Sequence, residues 1–346
     1  VDAAVAPSQG HQEPNDRTGS DTEQCSGLFH GRDSRPGMVR YSPADCQTAS
    51  WSALYPVTVD IFVDSETAPL RSVIVGYPDN FMQVNPEIIN ETQRKYYDGP
   101  DAPTRAAVTK QLQSLIDVLR SRGIEVLQPH PLPYIPDQMM TRDIGVVIGD
   151  TFVVTTMAAK SRRHEWRGYA HLLELFPEHV KVLFAPEDVV IEGGDVIVDS
   201  GKVFVGMGQR TTLAGAAWLM QLVPEYEIVP VNLTGLQRGE DVLHLDCSFV
   251  PVGDGHALIY PGGMKDIPAA LRETYDLIEV TREEQQVLGT NVLSLDPSTV
   301  ISQPTARRIN AEMRERGIEV IEVDYSEPPK TGGSFRCCTL PLHRAH

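Results

Sequence analysis

The chain reads as an α/β fold built from five ββαβ units arranged about an axis. Turn signals recur near residues 150, 200, 254 and 297, a spacing of about 43 to 54 residues that marks a repeat architecture. Each turn joins two short apolar runs, and each pair of runs is followed by a helical pattern and then a further short strand.

The first complete hairpin is Val146 to Val154 around Gly149-Asp150, and Val196 to Val205 repeats it around Ser200-Gly201. Phe249 to Tyr260 turns at Gly253-Asp254-Gly255, and Val292 to Ile301 at Asp296-Pro297. The helical patterns that follow span Ser161 to Phe176, Thr212 to Leu222, Asp266 to Tyr275 and Thr305 to Arg316. The closing strands are Val180 to Phe184, Tyr226 to Val231, Leu277 to Val280 and Ile318 to Val323. A fifth unit is assembled from both ends of the domain. Arg71 to Val75, a helix over Thr104 to Arg122 and a strand over Ile124 to Leu127 begin it, and Cys338 to Leu342 returns to pair near its first strand. Residues 1–58 are rich in Ser, Gly, Asp, Gln and Pro and lack apolar periodicity, so they read as a flexible or loosely docked extension ahead of a single domain over residues 59–346.

With 47 acidic against 30 basic residues and a net charge of −17, the chain is a poor match for nucleic acid or an anionic membrane, whereas a small cation would be attracted. Residues 1–33 lack the pattern of a signal peptide, and no apolar run approaches the ~20 residues of a membrane span. Five unevenly spread cysteines, Cys25, Cys46, Cys247, Cys337 and Cys338, do not form a disulfide framework, so a cytoplasmic location is expected. No Cys-x-x-Cys pair occurs, and adjacent Cys337 and Cys338 cannot readily share one ion; no metal site is expected. The sequence does not set the oligomeric state, and a homo-oligomer stays open.

Four polar motifs fall at equivalent places in successive units: Arg142-Asp143, Glu192-Gly193-Gly194-Asp195, His244-Leu245-Asp246, and Gly332-Gly333-Ser334-Phe335-Arg336-Cys337-Cys338-Thr339. Around an axis they would meet at one mouth. Taken singly each has a duller reading, as turn chemistry or a surface pair; placed in phase on the repeats they suggest catalysis. Arg336 beside Cys337 is expected to favour the thiolate. A guanidinium presents a planar fork of N–H donors that Asp143 and Asp246 could clamp, exposing its central carbon to a Cys337 thiolate. His244 would supply a proton to the departing nitrogen, and Glu192 would orient the imidazole or take protons from water. Because the substrate carries its own activating charge, this chemistry needs no metal or organic cofactor.

From about Pro69 to Leu342 these elements, in this order, resemble the guanidine-modifying superfamily, which includes arginine deiminases, dimethylarginine dimethylaminohydrolases and arginine amidinotransferases. The resemblance implies a pentein fold, a five-bladed αβ propeller with pseudo-fivefold symmetry. It implies Cys337 as nucleophile, because Thr339 two residues on fits the Cys-x-Ser/Thr pattern. It further implies a substrate-binding set of Arg162, Arg210, Asp195 and Asn291, the arginines suiting an α-carboxylate. Asp246 resembles both the deiminases and the amidinotransferases, while Glu192 to Asp195 and Gly289 to Leu293 are most similar to the deiminases, implying release of ammonia and a citrulline-type product from arginine or an arginine derivative; a clamp by both Asp143 and Asp246 would prefer arginine over dimethylarginine at least roughly tenfold. Lys330-Thr331 departs from the deiminase pattern and leaves room for an arginine derivative. Amidino transfer to an amine is the alternative, dimethylarginine hydrolysis the second, and a non-catalytic binding propeller the least favoured.

Overall fold

Fifteen short strands pair in threes, and the same arrangement appears five times among the described residues. The computed structural model describes residues 58–345 apart from 77, 79–87, 134 and 136. The expected N-terminal extension, but for its last residue, lies outside the described residues, as do Cys25 and Cys46.

The strands are β1 (Leu70–Val75), β2 (Glu125–Leu127), β3 (Gly145–Ile148), β4 (Thr151–Val154), β5 (Lys181–Phe184), β6 (Val196–Asp199), β7 (Lys202–Met207) and β8 (Glu227–Asn232). They continue with β9 (Phe249–Val252), β10 (His256–Ile259), β11 (Asp276–Glu279), β12 (Leu293–Asp296), β13 (Thr299–Ser302), β14 (Glu319–Glu322) and β15 (Thr339–Arg344). In four sheets consecutive strands form an antiparallel hairpin, and the third strand returns parallel to the second. The fifth sheet is the composite expected from the sequence: β15 runs antiparallel to β1, and β2 parallel to it.

The turn chemistry explains the hairpins. Ser200 and Gly201 both adopt positive φ, 53° and 71°, the backbone pair whose twist matches two right-twisted strands. The first strands β3, β6 and β9 are buried at every position, which is why they read as continuous apolar runs and not as alternating ones.

The helices are α1 (Glu91–Tyr96), α2 (Arg105–Ser121), α3 (Ala170–Leu173), α4 (Leu213–Leu222), α5 (Ala269–Thr274), α6 (Arg282–Gln286) and α7 (Arg307–Glu315). Thr104 caps α2 by accepting from the Ala107 amide, and Val108, Leu112, Leu115, Ile116 and Leu119 form its buried stripe. That stripe belongs to the same apolar cluster as Met139, Met140, Phe335, Cys337 and Cys338, so α2 backs the loop that carries the terminal cysteines. The helix expected over Ser161 to Phe176 is not continuous. It breaks into 3₁₀ turns at Lys160–Arg162 and Glu165–Tyr169, followed by the single turn of α3. Arg162 and Glu165 turn inward there to form a buried ion pair, which a helix docked by an apolar face would not accommodate.

Candidate active site

Each polar motif ends in a tight turn immediately before a buried strand. Thr141–Ile144 is a 3₁₀ turn leading into β3, Gly193–Asp195 one leading into β6, and Leu245–Cys247 one just ahead of β9. A turn fixes its side chain by backbone hydrogen bonds alone, so the polar group can face inward while the next residues enter the core. The close approach of the turns requires glycine: a Cβ on Gly193 would collide with the Arg142 and Gly145 carbonyls, and one on Gly194 would lie 2.8 Å from the His244 ring and 2.9 Å from Asp143 Oδ1.

A pocket lined by Asp143, Arg162, Glu192, Arg210, His244 and Cys337 joins the motifs. His244 Nε2 lies 2.7 Å from Glu192 Oε2, and Glu192 Oε1 accepts from the Ala158 amide at 2.7 Å. Burial opposes charge on this pair, but Asp143 and Glu192 hold the His244 imidazolium well above its ordinary range, while His244 draws Glu192 below the usual carboxylate range. The other ring nitrogen, His244 Nδ1, has no hydrogen-bond partner and stands 3.6 Å from Asp143 Oδ1, which is likewise buried and unmet. Asp143 Oδ2 is taken by Arg162 Nη1 at 2.7 Å.

Cys337 is 3% exposed and is held by its neighbours on several sides. Its amide donates to Asn291 Oδ1 at 3.1 Å, its carbonyl accepts from the Arg142 amide at 3.0 Å, and Asn291 Nδ2 lies 3.2 Å from its sulfur. Burial pushes the thiol well above its ordinary value, and Asp246, Cys247, Asp143 and Cys338 push in the same direction. Cys338 is not in the lining itself; its Sγ packs behind it against Met140 Sδ at 3.8 Å.

Several expectations need correction. Arg336 does not face the Cys337 sulfur directly: its guanidinium binds Glu66 through two nitrogens at 2.9 and 3.2 Å, Asp246 Oδ2 at 2.9 Å and the Val196 carbonyl at 3.0 Å. Asp246 is not part of the pocket lining; its Oδ2 faces Arg336 and lies 3.6 Å from the Cys337 sulfur. Arg162 lines the pocket, but its fork is already spent on Asp143, Glu165 and the Met140 carbonyl. Asp195 holds the backbone and does not face the pocket, accepting from the Leu245 amide at 2.8 Å and the Thr211 amide at 3.1 Å; burial raises it to about 7. Asn291 ties the loop before β15 to the Asp246 carbonyl. Arg210 does reach the pocket, 3.7 Å from Glu192 Oε1 and bonded to the Ile89 carbonyl.

Sequence reasoning missed the acidic residue Asp137 and the part of the lining supplied by Ile89, Asn90 and Gln93. Asp137 lines the pocket, is pushed upward by burial, and receives Gln93 Nε2 at 2.9 Å. Asn90 caps α1 and, with Gln93, reaches the Thr331 carbonyl at 3.2 Å, while Thr92 donates to Asp241. These are isolated polar residues, visible only once the chain is folded. Asp143, Glu192 and His244 also bring one oxygen or nitrogen each within 4.8 Å of one another. They do not form a free donor set, because Arg162 and Arg210 flank the two carboxylates and His244 is bonded to Glu192.

The eukaryotic N,N dimethylarginine dimethylhydrolase family model matches residues 77–344. The uncharacterized protein YkgA of Bacillus subtilis is 40% identical over 281 residues, covering 81% of this chain and 94% of that protein. The N(G),N(G)-dimethylarginine dimethylaminohydrolase of Streptomyces coelicolor is 25% identical over 237 residues, covering 68% of this chain and 86% of that one. Among solved structures, SxtG, an amidinotransferase of the saxitoxin biosynthetic pathway of Microseira wollei, superposes with a TM-score of 0.71 at 22% identity, covering 83% of this chain and 98% of that one. The extent of the family match places the chain in the eukaryotic N,N dimethylarginine dimethylhydrolase family, within the guanidine-modifying superfamily that its motifs resemble.

Proposed function

We propose that this protein hydrolyses the guanidino group of arginine or an arginine derivative through a covalent bond to Cys337. The five three-stranded sheets serve as the blades of a propeller with pseudo-fivefold symmetry, and the pocket is its mouth. One observation carries the reading: an unmet acceptor, Asp143 Oδ1, and an unmet donor position, His244 Nδ1, are both buried in the pocket that also holds the Cys337 sulfur. A planar cation with N–H donors and a nitrogen that must gain a proton answers both.

Asp143 Oδ1 accepts a guanidinium N–H and holds the carbon before Cys337. The cation's charge offsets the carboxylates that keep the thiol protonated, and the thiol releases its proton to solvent as the substrate enters. The sulfur pair forms a bond to the guanidinium carbon, one C=N bond becomes single, and the tetrahedral adduct collapses as His244 Nδ1–H protonates the departing nitrogen. Ammonia, or a methylated amine from a methylated substrate, leaves a Cys337 thiouronium. Neutral His244 then takes a proton from water, hydroxide adds to the same carbon, and the C–S bond breaks as the added hydroxyl gives its proton to solvent, leaving a ureido product and the free thiolate. Arg210 and Asp137 receive the charged groups at the far end of an amino-acid substrate.

Because Asp246 already gives Oδ2 to Arg336, it is a weaker second clamp against a methyl group than Asp143. Methylated arginine therefore stands with arginine among the substrates, and the roughly tenfold preference expected from the sequence loses part of its basis. The test is a mass-spectrometric product assay over arginine, agmatine, guanidinoacetate and methylated arginines, with and without glycine. A ureido product independent of glycine is expected. Formation of a new guanidine only when glycine is supplied would establish amidino transfer instead.

A further inference from the structure

The terminal motif carries an arginine beside its nucleophile, yet that arginine serves a different partner. Arg336 is wholly buried and grips Glu66 with two nitrogens, at 2.9 and 3.2 Å. From that anchor its Nη1 reaches Asp246 Oδ2 at 2.9 Å, and the same oxygen is 3.6 Å from the Cys337 sulfur, with Oδ1 at 3.9 Å. Asp246 is therefore shared between an interior cation and the reacting atom.

We infer that Glu66 and Arg336 are positioning residues for Asp246, holding its carboxylate against the Cys337 sulfur, so that this buried chain regulates how readily the nucleophile ionises. The inference rests on the reading of Cys337 as the nucleophile. Its physical content is simple. A carboxylate near a thiol disfavours the thiolate, and a guanidinium on the far oxygen of that carboxylate weakens the effect. Both charges are buried, where solvent screens them little. The other groups acting on the sulfur are Asp143, Cys247 and Cys338, which oppose ionisation, and the Asn291 amide, which donates toward it. His244 lines the same pocket. None of these lies between Arg336 and Asp246, so their influence is common to the variants compared below.

The experiment is the pH dependence of Cys337 alkylation by iodoacetamide in the full chain without substrate, quantified on the Cys337 peptide by mass spectrometry. Asp246→Asn should move the midpoint down by about 1 to 2 pH units, the size of effect a nearby charge exerts on a buried group. Arg336→Met should move it upward, and Arg336→Lys, which keeps the charge, should restore most of that displacement. Asp246→Asn is near-isosteric and decides the matter even if Arg336→Met does not fold. An unmoved or raised midpoint in Asp246→Asn, or a downward shift in Arg336→Met, overturns the inference. Absence of guanidine turnover by the unsubstituted protein, together with the expected midpoints, would count against the hydrolase and leave the positioning chain standing.

Discussion

Asp143 and Asp246 occupy matching places in two repeats, each in a 3₁₀ turn just ahead of a buried first strand, and both are buried. Their surroundings differ. Asp143 gives one oxygen to Arg162, a pocket residue, and leaves the other unmet and facing His244. Asp246 gives an oxygen to Arg336, which comes from the interior, and lies against the Cys337 sulfur. Equivalent position in a repeat therefore does not confer an equivalent role. The direction from which the counter-ion arrives decides whether a carboxylate is left open to a ligand or absorbed by the protein.

Cysteine replacement gives the largest expected effect and tests the sulfur that both walls address. Cys337→Ala should abolish turnover, while Cys338→Ala should retain most of it because that thiol packs against Met140. Equal losses in the two, measured by product formation, would dissolve the distinction between pocket and interior. Next comes the open wall. His244→Asn should lower kcat by roughly 10²- to 10⁴-fold, the usual weight of a positioned proton donor. A variant within tenfold of the parent would remove His244 Nδ1 from the mechanism.

The two aspartates are then separated by steady-state kinetics. Asp143→Asn should reduce kcat/KM by about 10- to 100-fold, from a charge-assisted hydrogen bond worth roughly 1.5–3 kcal/mol, largely through KM if the bond holds the ground state. Asp246→Asn should raise KM less, since that carboxylate already gives Oδ2 to Arg336. A matching rise in KM for both would restore the double clamp.

The smallest effect concerns stability. Burial raises Glu66, but Arg336 and Arg142 outweigh it and bring it from 4.5 down to about 2. A carboxyl lowered in the folded state contributes stability that is present above its unfolded value, near 4.5, and lost as pH falls through about 2. That contribution is on the order of 3 kcal/mol at neutral pH. Glu66→Gln should therefore unfold more easily in denaturant at pH 7 and show a flatter stability profile between pH 4.5 and 2. Identical acid profiles would mean that the interior wall is not held by this charge.

The repeats were legible because hairpin, helix and return strand recur in order, and even the composite sheet followed from apolar runs at both ends of the domain. The four motif residues Asp143, Glu192, His244 and Cys337 were legible because each sits at the same phase of a repeat, and all four line the pocket. The roles of Asp246, Arg336, Asp195 and Asn291 were not, since a local motif says nothing about which buried partner a side chain will find. Glu66 lies 270 positions from Arg336, a pairing that no window of sequence contains. Helix α6 was overlooked although Thr281-Arg282-Glu283-Glu284 spells a capping box, whose reciprocal bonds the structure contains. The break in the helix after Ser161 is a case where a buried ion pair overrides helical periodicity.

The order in which the pocket is made along the chain has a further consequence. Cys337 stands two residues ahead of β15, the strand that pairs with β1 and completes the composite sheet. During synthesis from the amino terminus, Asp143, Glu192 and His244 emerge long before the sulfur they accompany. On the proposed mechanism a nascent chain thus holds its acid, its base and much of its scaffold before its nucleophile, and reactivity arrives with the same short segment that completes the composite sheet.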